Sequence, residues 1–171
     1  MTTYVALLRA VNVGGTGKLP MKDLAKLCEK LGFEDVRTYI QSGNVVFRSE
    51  KSPNAVHDAL EQALAARMGK PADVMLRTAA ELRSVLDANP FTDMPPNKVA
   101  VMFLSKPASA TTVDECVAPD GEQVRPGKRE LYVYFPNGMG RSKFKLARSA
   151  GSATARNINT VTRLVELAKG K

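Results

Sequence analysis

Apolar and polar residues alternate along the first part of the chain in blocks that predict strands and helices. A near-continuous apolar run over residues 4–11 is typical of a strand that is covered on both faces. Apolar residues at helical spacing over residues 21–31 predict a helix that ends near a glycine. Two short apolar runs flank a polar turn at residues 41–44, and this pattern predicts a hairpin.

The next elements complete a recognisable order. Ser52-Pro53 is a typical start for a second helix, and an apolar run over residues 72–76 predicts a further strand. The first 77 residues therefore have the order β-α-β-β-α-β, which is that of a ferredoxin-like unit with an antiparallel sheet.

The rest of the chain predicts a second unit of the same kind. Thr78 and Glu81 form a capping-box pattern, and Pro95-Pro96 marks the expected boundary between a half of residues 1–96 and a half of residues 97–171. The expected elements of the second half are a strand over 98–104, a short helix over 112–117, a hairpin of 123–125 with 130–135, a short helix over 142–148 and a last helix capped by Thr154. The fold class is thus α+β, with two ferredoxin-like halves and mainly antiparallel sheets.

A glycine-rich segment after the first strand is one candidate site. Arg9 is a charged residue in an apolar strand, and the strand leads to Asn12, Gly14, Gly15 and Lys18. The pattern fails as a phosphate-binding P-loop, because Asn12 stands where the first glycine is needed and no hydroxyl residue follows the lysine. Two interpretations stay open: a weaker nest of backbone N–H groups for an anion, or a turn with a solvated lysine.

The basic charge is concentrated in the second half. The net charge is +8, of which residues 1–96 carry +1 and residues 97–171 carry +7. Such a field attracts anions, most simply nucleic acid or a phosphorylated ligand, although a solvated surface that maintains solubility has the same composition.

Seven residues of this half are candidates for anion binding. On the predicted last helix, Arg156, Asn159, Thr160 and Arg163 would share one face, from which they could hold phosphate or carboxylate. The alternative is that these side chains cap neighbouring loops or are solvated. The candidate set is Arg141, Lys143, Lys145, Arg148, Arg156, Asn159 and Arg163.

Several kinds of chemistry lack the residues they need. His57 is the only histidine, and Cys28 and Cys116 are the only cysteines, so no metal-ligand cluster and no cofactor are expected. The two thiols are expected to be reduced in a cytoplasmic protein without a membrane-spanning segment. With aromatic residues at 6% and no tryptophan, Tyr132, Tyr134 and Phe135 are the group suited to stacking on bases, and the alternative is that at least one face of their strand packs in the core. The sequence indicates no catalytic constellation, and whether the protein is an enzyme stays open.

Seven segments spread along the chain form a specific pattern: L-L-R-A-V-N-V-G-G (7–15), K-L-P-M (18–21), Y-I-Q-S-G-N-V-V-F (39–47), R-T-A-A-E-L (77–82), N-P-F (89–91), G-R-S-K (140–143) and T-A-R-N-I-N-T-V (154–161). Through these segments the chain resembles a bacterial family known only as a domain of unknown function, DUF1697. Ile158 stands where the family pattern usually has tryptophan. The resemblance implies an α+β fold of two similar halves and no established activity.

Three hypotheses for function follow. The first is a binding protein for an anionic partner, either nucleic acid or a phosphate-bearing molecule, which uses the basic second half. The second is an enzyme for a small anionic substrate, with Arg9, Asn12 and Lys18 at its site between the halves. The third is a structural oligomer whose basic face meets an acidic protein.

Overall fold

The structure is a computed structural model that describes residues 1–9, 19–39 and 43–169. These residues form helices and two four-stranded antiparallel sheets. The predicted α+β class is therefore confirmed.

The first sheet has the strand order of a ferredoxin-like unit. Its strands lie in the order β2-β3-β1-β4, and all the pairings are antiparallel. Two helices follow the first and third strands, as the sequence predicted. The elements are β1 Thr2–Leu8, α1 Met21–Lys30, β2 Glu34–Tyr39, β3 Asn44–Ser49, α2 Pro53–Met68 and β4 Val74–Thr78.

Strand β1 lies in the middle of this sheet and is buried on both faces. Tyr4, Ala6 and Leu8 belong to the core on which the two helices pack. Val5 and Leu7 point to the opposite face and are also fully buried. A strand in this position needs an unbroken apolar run, and this is why the pattern over residues 4–8 is not alternating.

The two helices pack on the sheet through apolar stripes. Helix α1 buries Leu24 and Cys28, and the buried residues of α2 include Leu60 and Leu64. The side chain of Ser52 accepts a hydrogen bond from the N–H of Ala55 at 3.3 Å and so caps α2. Each buried leucine contributes packing whose loss on truncation to alanine costs about 2–5 kcal/mol.

Helix α3, Ala79–Asp87, begins with the predicted capping box. The N–H of Thr78 donates to Glu81 Oε1 at 2.8 Å, and the N–H of Glu81 donates to Thr78 Oγ1 at 3.1 Å. Two backbone donors that the helix cannot satisfy are thus paired by side chains.

The second sheet repeats the arrangement of the first. Its order is β6-β7-β5-β8, which is the same relative order, and its pairings are antiparallel. Its elements are β5 Val99–Leu104, α4 Ala110–Asp114, β6 Gln123–Pro126, β7 Glu130–Tyr134 and β8 Ala153–Asn157, followed by α5 Ile158–Lys169. Short 3-10 turns occupy Pro96–Lys98, Met139–Arg141 and Arg148–Ala150.

The helix predicted over residues 142–148 is wrong. Lys143 and Lys145 are exposed, whereas Phe144 and Leu146 pack against the core of the second sheet. This alternation has the period of extended backbone and not of a helix. Lys145 also forms a two-way backbone bridge with Val117, with N–O distances of 2.9 Å in both directions.

The start of the last helix is also corrected. Residues 153–157 form strand β8, in which Thr154 pairs with Phe103 and Arg156 pairs with Val101. Helix α5 begins only at Ile158, where Asn157 Oδ1 accepts a hydrogen bond from the N–H of Thr160 at 2.8 Å. Thr154 is therefore a strand residue and does not cap the helix.

Contacts within the chain define two compact units. The first unit comprises Met1–Leu82 and Leu164–Lys171, and the second comprises Arg83–Arg163. The two units are defined by contacts within each of them. The domain boundary that the sequence predicts after Pro96 stays a prediction. Among the described residues, no helix combines the length and apolar character that crossing a bilayer requires.

Candidate anion-binding site

A cavity of about 610 Å³ lies in the second unit and is lined mainly by polar residues. Two of these residues are lysines, Lys98 and Lys143, and one is acidic, Asp120. We call this cavity the lysine pocket. Its lining is Asn97, Lys98, Asp120, Pro136, Asn137, Gly138 and Lys143.

Lys98 is held in place at both its backbone and its side chain. It ends the 3-10 turn that begins at Pro96, and its carbonyl accepts a hydrogen bond from the N–H of Phe135 at 2.8 Å. Its Nζ donates to the carbonyl of Pro136 at 3.1 Å. An ammonium group has three donors, so this bond orients the group and leaves donor capacity for a ligand.

Lys143 reaches the pocket from a segment that a buried carboxylate fixes. Ser142 Oγ donates to Glu122 Oε2 at 2.6 Å and accepts from the N–H of Phe144 at 3.0 Å. The hydrogen bond from Ser142 holds the pKa of Glu122 below its usual value. Residues on both sides of Lys143 are thus anchored, while the lysine itself is exposed.

The same carboxylate positions the acidic residue of the pocket. Glu122 Oε1 accepts a hydrogen bond from the N–H of Asp120 at 2.9 Å. On the other side, Gly138 has a φ of 84°, a backbone conformation that favours glycine, and this turn brings Asn137 to the pocket.

The chemistry of this lining suits an anion that also carries hydroxyl groups. Two ammonium groups and one carboxylate leave a local excess of one positive charge. Lysine binds phosphate as a point charge, and asparagine side chains donate N–H groups to oxygen acceptors. Asp120 offers an acceptor for a hydroxyl.

The structure brings only part of the predicted anion-binding set together. Lys143 lines the pocket. Lys145 and Arg148 lie further along the same segment and are exposed, and Asn159 and Arg163 are exposed on α5. The side chain of Arg141 lies outside the described part of the structure.

Arg156 lies in β8 and does not share a helix face with Asn159, Thr160 and Arg163. It is only 7% exposed. Its Nη1 donates to Thr154 Oγ1 at 2.6 Å and to the carbonyl of Ala155 at 2.9 Å. Burial lowers the pKa of the guanidinium to about 10. The predicted four-residue face is therefore wrong, because it assumed one continuous helix from residue 154.

Little of the predicted loop site can be located. Asn12, Gly14, Gly15 and Lys18 lie outside the described residues. Arg9 is half-exposed and pairs with Asp73, with 3.1 Å between Nη1 and Oδ2. The charge in the apolar strand is thus explained by a carboxylate at the strand's exposed end.

The other residues considered for catalysis, metal binding or base stacking are His57, the two cysteines and Tyr132. His57 Nε2 donates to the carbonyl of Val74 at 3.1 Å, which ties α2 to β4. Cys28 and Cys116 are free thiols, and burial raises the pKa of Cys28 to about 12. Tyr132 is only 2% exposed. In the described ranges no group of three potential ligands is placed to hold a metal ion.

Sequence reasoning missed most of the pocket lining. The sequence pattern predicts Lys98 as the first residue of a strand and indicates no role for Asn97 or Asp120. A usable signal was the Pro136-Asn137-Gly138 turn together with Pro95-Pro96, because turns with proline and glycine often carry binding groups on rigid scaffolds. The sequence gives no indication that these two turns lie side by side.

Fold and site together define an α+β protein with two antiparallel units of like topology and a polar pocket in the second unit. A family model described as "Protein of unknown function (DUF1697)" matches residues 1–132, so the chain belongs to this family. The resemblance noted in the sequence is thereby confirmed.

A solved structure has a similar fold. It is that of the conserved bacterial protein SP0830 from Streptococcus pneumoniae, which is 22% identical, with a TM-score of 0.76 and coverage of 98% of each chain. No curated protein matches the sequence.

Proposed function

We propose that the second unit binds a small phosphate-bearing molecule in the lysine pocket. One observation carries the proposal: Lys98 and Lys143 line the same cavity, and a hydrogen bond to the carbonyl of Pro136 holds the ammonium group of Lys98. A volume of about 610 Å³ lies within the usual range for small-molecule sites.

The charge of the chain supports an anionic ligand. Residues 97–171 carry 13 basic and 6 acidic residues, so the potential around the pocket favours anions. Lys145 and Arg148 are exposed on the segment that contributes Lys143, and they add to this field.

The aromatic residues favour a small ligand over single-stranded nucleic acid. Stacking on bases needs exposed rings. Tyr132 is buried and its hydroxyl donates to the carbonyl of Val85 at 2.6 Å, while the ring of Tyr134 packs against Phe91 with centroids 6.1 Å apart. Tyr132 therefore has no ring face available to a base, and Tyr134 is only partly exposed, unlike the aromatic residues of an RNA-binding sheet.

Calorimetric titration with inorganic pyrophosphate tests the proposal. The variant Lys143→Ala removes one ammonium group, and Lys128→Ala is its matched control because Lys128 is exposed in the same unit but does not line the pocket. We expect Lys143→Ala to weaken binding about tenfold, which corresponds to ~1.4 kcal/mol, and Lys128→Ala to leave the affinity unchanged.

Two results would count against the pocket. Equal losses in Lys143→Ala and Lys128→Ala would indicate general attraction to a basic surface. Binding of labelled RNA at about 0.15 M salt, with a log–log salt slope of roughly −0.7 per phosphate and no response to pyrophosphate, would indicate a nucleic-acid partner instead.

A further inference from the structure

The first unit contains a second concavity, which lies between its two helices. Its volume is about 560 Å³. We call it the helix groove, and its lining combines an apolar floor with charged edges. The residues are Asp23, Lys26, Leu27, Lys30, Leu31, Ala63, Ala66 and Arg67.

The groove follows from the antiparallel course of α1 and α2. Asp23 lies in the first turn of α1, Arg67 lies in the last turn of α2, and the two form an ion pair of 2.9 Å. Ala63 and Ala66 have short side chains, so the surface is recessed between the helices. Leu27 on α1 and Leu31 at the C-cap of α1 are one turn apart and pack, only partly buried, against the core beneath.

The charges at the edge are unbalanced. Lys26 and Lys30 are one helical turn apart and exposed. In the described part of the chain, neither ammonium lies within ion-pair distance of a carboxylate. Arg67 is paired with Asp23, so Lys26 and Lys30 are the cations of the groove that have no ion-paired carboxylate among the described residues.

We propose that the helix groove binds an acidic amphipathic helix of a partner protein. The apolar stripe of that helix would cover Leu27, Leu31 and the alanines, and its flanking carboxylates would meet Lys26 and Lys30. Helices dock in such grooves through residues at i, i+3, i+4 and i+7, and charge complementarity selects the partner. This inference concerns the first unit and does not depend on the lysine pocket.

The shape of the groove argues against a membrane surface as the occupant. A bilayer interface takes up protruding apolar side chains. In the groove Leu27 and Leu31 are only partly exposed, whereas Lys26, Lys30 and Arg67 are exposed, so the charged side chains are more accessible than the apolar ones. A convex, rod-like partner matches this shape.

Fluorescence anisotropy with two labelled synthetic peptides tests the inference. Both are amphipathic helices of about 16 residues, or ~24 Å, with the same leucine stripe. One has glutamates and the other has lysines at the flanking positions. We expect binding of the glutamate peptide that is at least about tenfold tighter than that of the lysine peptide.

Matched variants locate the binding. Lys26→Glu with Lys30→Glu should abolish the preference for the glutamate peptide. The control, Lys22→Glu with Lys51→Glu, has the same change in charge on exposed lysines outside the groove and should retain the preference. Ala66→Phe fills the groove without changing charge and should weaken binding, whereas Ala80→Phe, on the exposed surface of α3, should not.

Three outcomes would overturn the inference. The first is equal binding of the two peptides. The second is equal loss in the groove and control variants. The third is failure of both peptides to bind while anionic phosphatidylserine vesicles or free laurate bind through Lys26 and Lys30, which would assign the charges to a lipid.

Discussion

Two buried polar side chains of the second unit satisfy neighbouring backbone. Tyr132 donates to the carbonyl of Val85, which lies in the last turn of α3, where helix carbonyls lack partners within the helix. Arg156 donates to Thr154 and to the carbonyl of Ala155. Both side chains are therefore part of the folded scaffold, even though the sequence suggested ligand contacts for them.

Ionisation of the Tyr132 hydroxyl makes the free energy of unfolding depend on pH in the alkaline range. Burial raises its pKa to about 12, whereas a tyrosine in an unfolded chain ionises near about 10. The folded protein thus keeps the proton to higher pH than the unfolded chain. The stabilisation is complete below the unfolded pKa and is lost as pH rises through the folded one.

The variant Tyr132→Phe isolates the contribution of the hydroxyl to the free energy of unfolding. Tyr132→Phe should lower the free energy of unfolding by about 1–2 kcal/mol at neutral pH, because the carbonyl of Val85 loses its donor. The difference from the original protein should shrink towards pH 12. Urea unfolding across this pH series measures it, and a constant difference at all pH values would contradict the assignment.

Arg156 should be important for stability. Arg156→Ala removes a buried side chain and two donors, so we expect unfolding free energy to fall by about 2 kcal/mol or more. Arg163→Ala, on the exposed surface of α5, should change it by less than about 0.5 kcal/mol. Urea titrations of both variants test this order, and similar small losses in both would contradict the burial of Arg156.

Helices and strands are predicted correctly from the sequence where local signals, such as caps, agree with the long-range packing. The Ser52 cap and the Thr78–Glu81 capping box use residues close in sequence, and both occur in the structure. Strand β8 was missed because its sequence, A-T-A-R-N, has little β-branched or aromatic content. Pairing with β5 makes it a strand, and such pairing is not visible in a local window.

The capping box gives a prediction for helix α3. Thr78→Ala leaves the N–H of Glu81 without its side-chain acceptor, so the free energy of unfolding should fall by about 1 kcal/mol. Thr92→Ala, an exposed turn residue, is the control and should have little effect. Equal thermal midpoints for the two variants would show that the capping box does not stabilise the protein.

On the scale of the whole molecule, the charge distribution could be predicted from the sequence, whereas the lysine pocket could not. The basic excess of residues 97–171 is plain in the sequence, and Lys143 was among the candidates. The other lysine of the pocket is Lys98, which lies far away in sequence and whose Nζ donates to the carbonyl of Pro136. Convergence of this kind depends on the register of β5, β6 and β7, which composition does not reveal.

Reactivity of Cys28 reports on opening of the first unit. The thiol is fully buried and its pKa is raised to about 12, chiefly by burial. Thiolate is the reactive form, so Cys28 should resist Ellman's reagent in the folded protein and react after denaturation. Labelling of Cys116→Ser protein, which retains Cys28 alone, measures this. Rapid labelling under native conditions would contradict the packing of α1.

The lysine pocket is tested most directly by ¹H–¹⁵N NMR during titration with inorganic pyrophosphate. Binding at the proposed place should shift the amide signals of Asn97, Lys98, Asp120, Gly138 and Lys143, and it should saturate. Shifts that stay small and spread over Lys128, Arg129 and the other exposed basic residues, or no shifts at low salt, would contradict a phosphate site in this pocket.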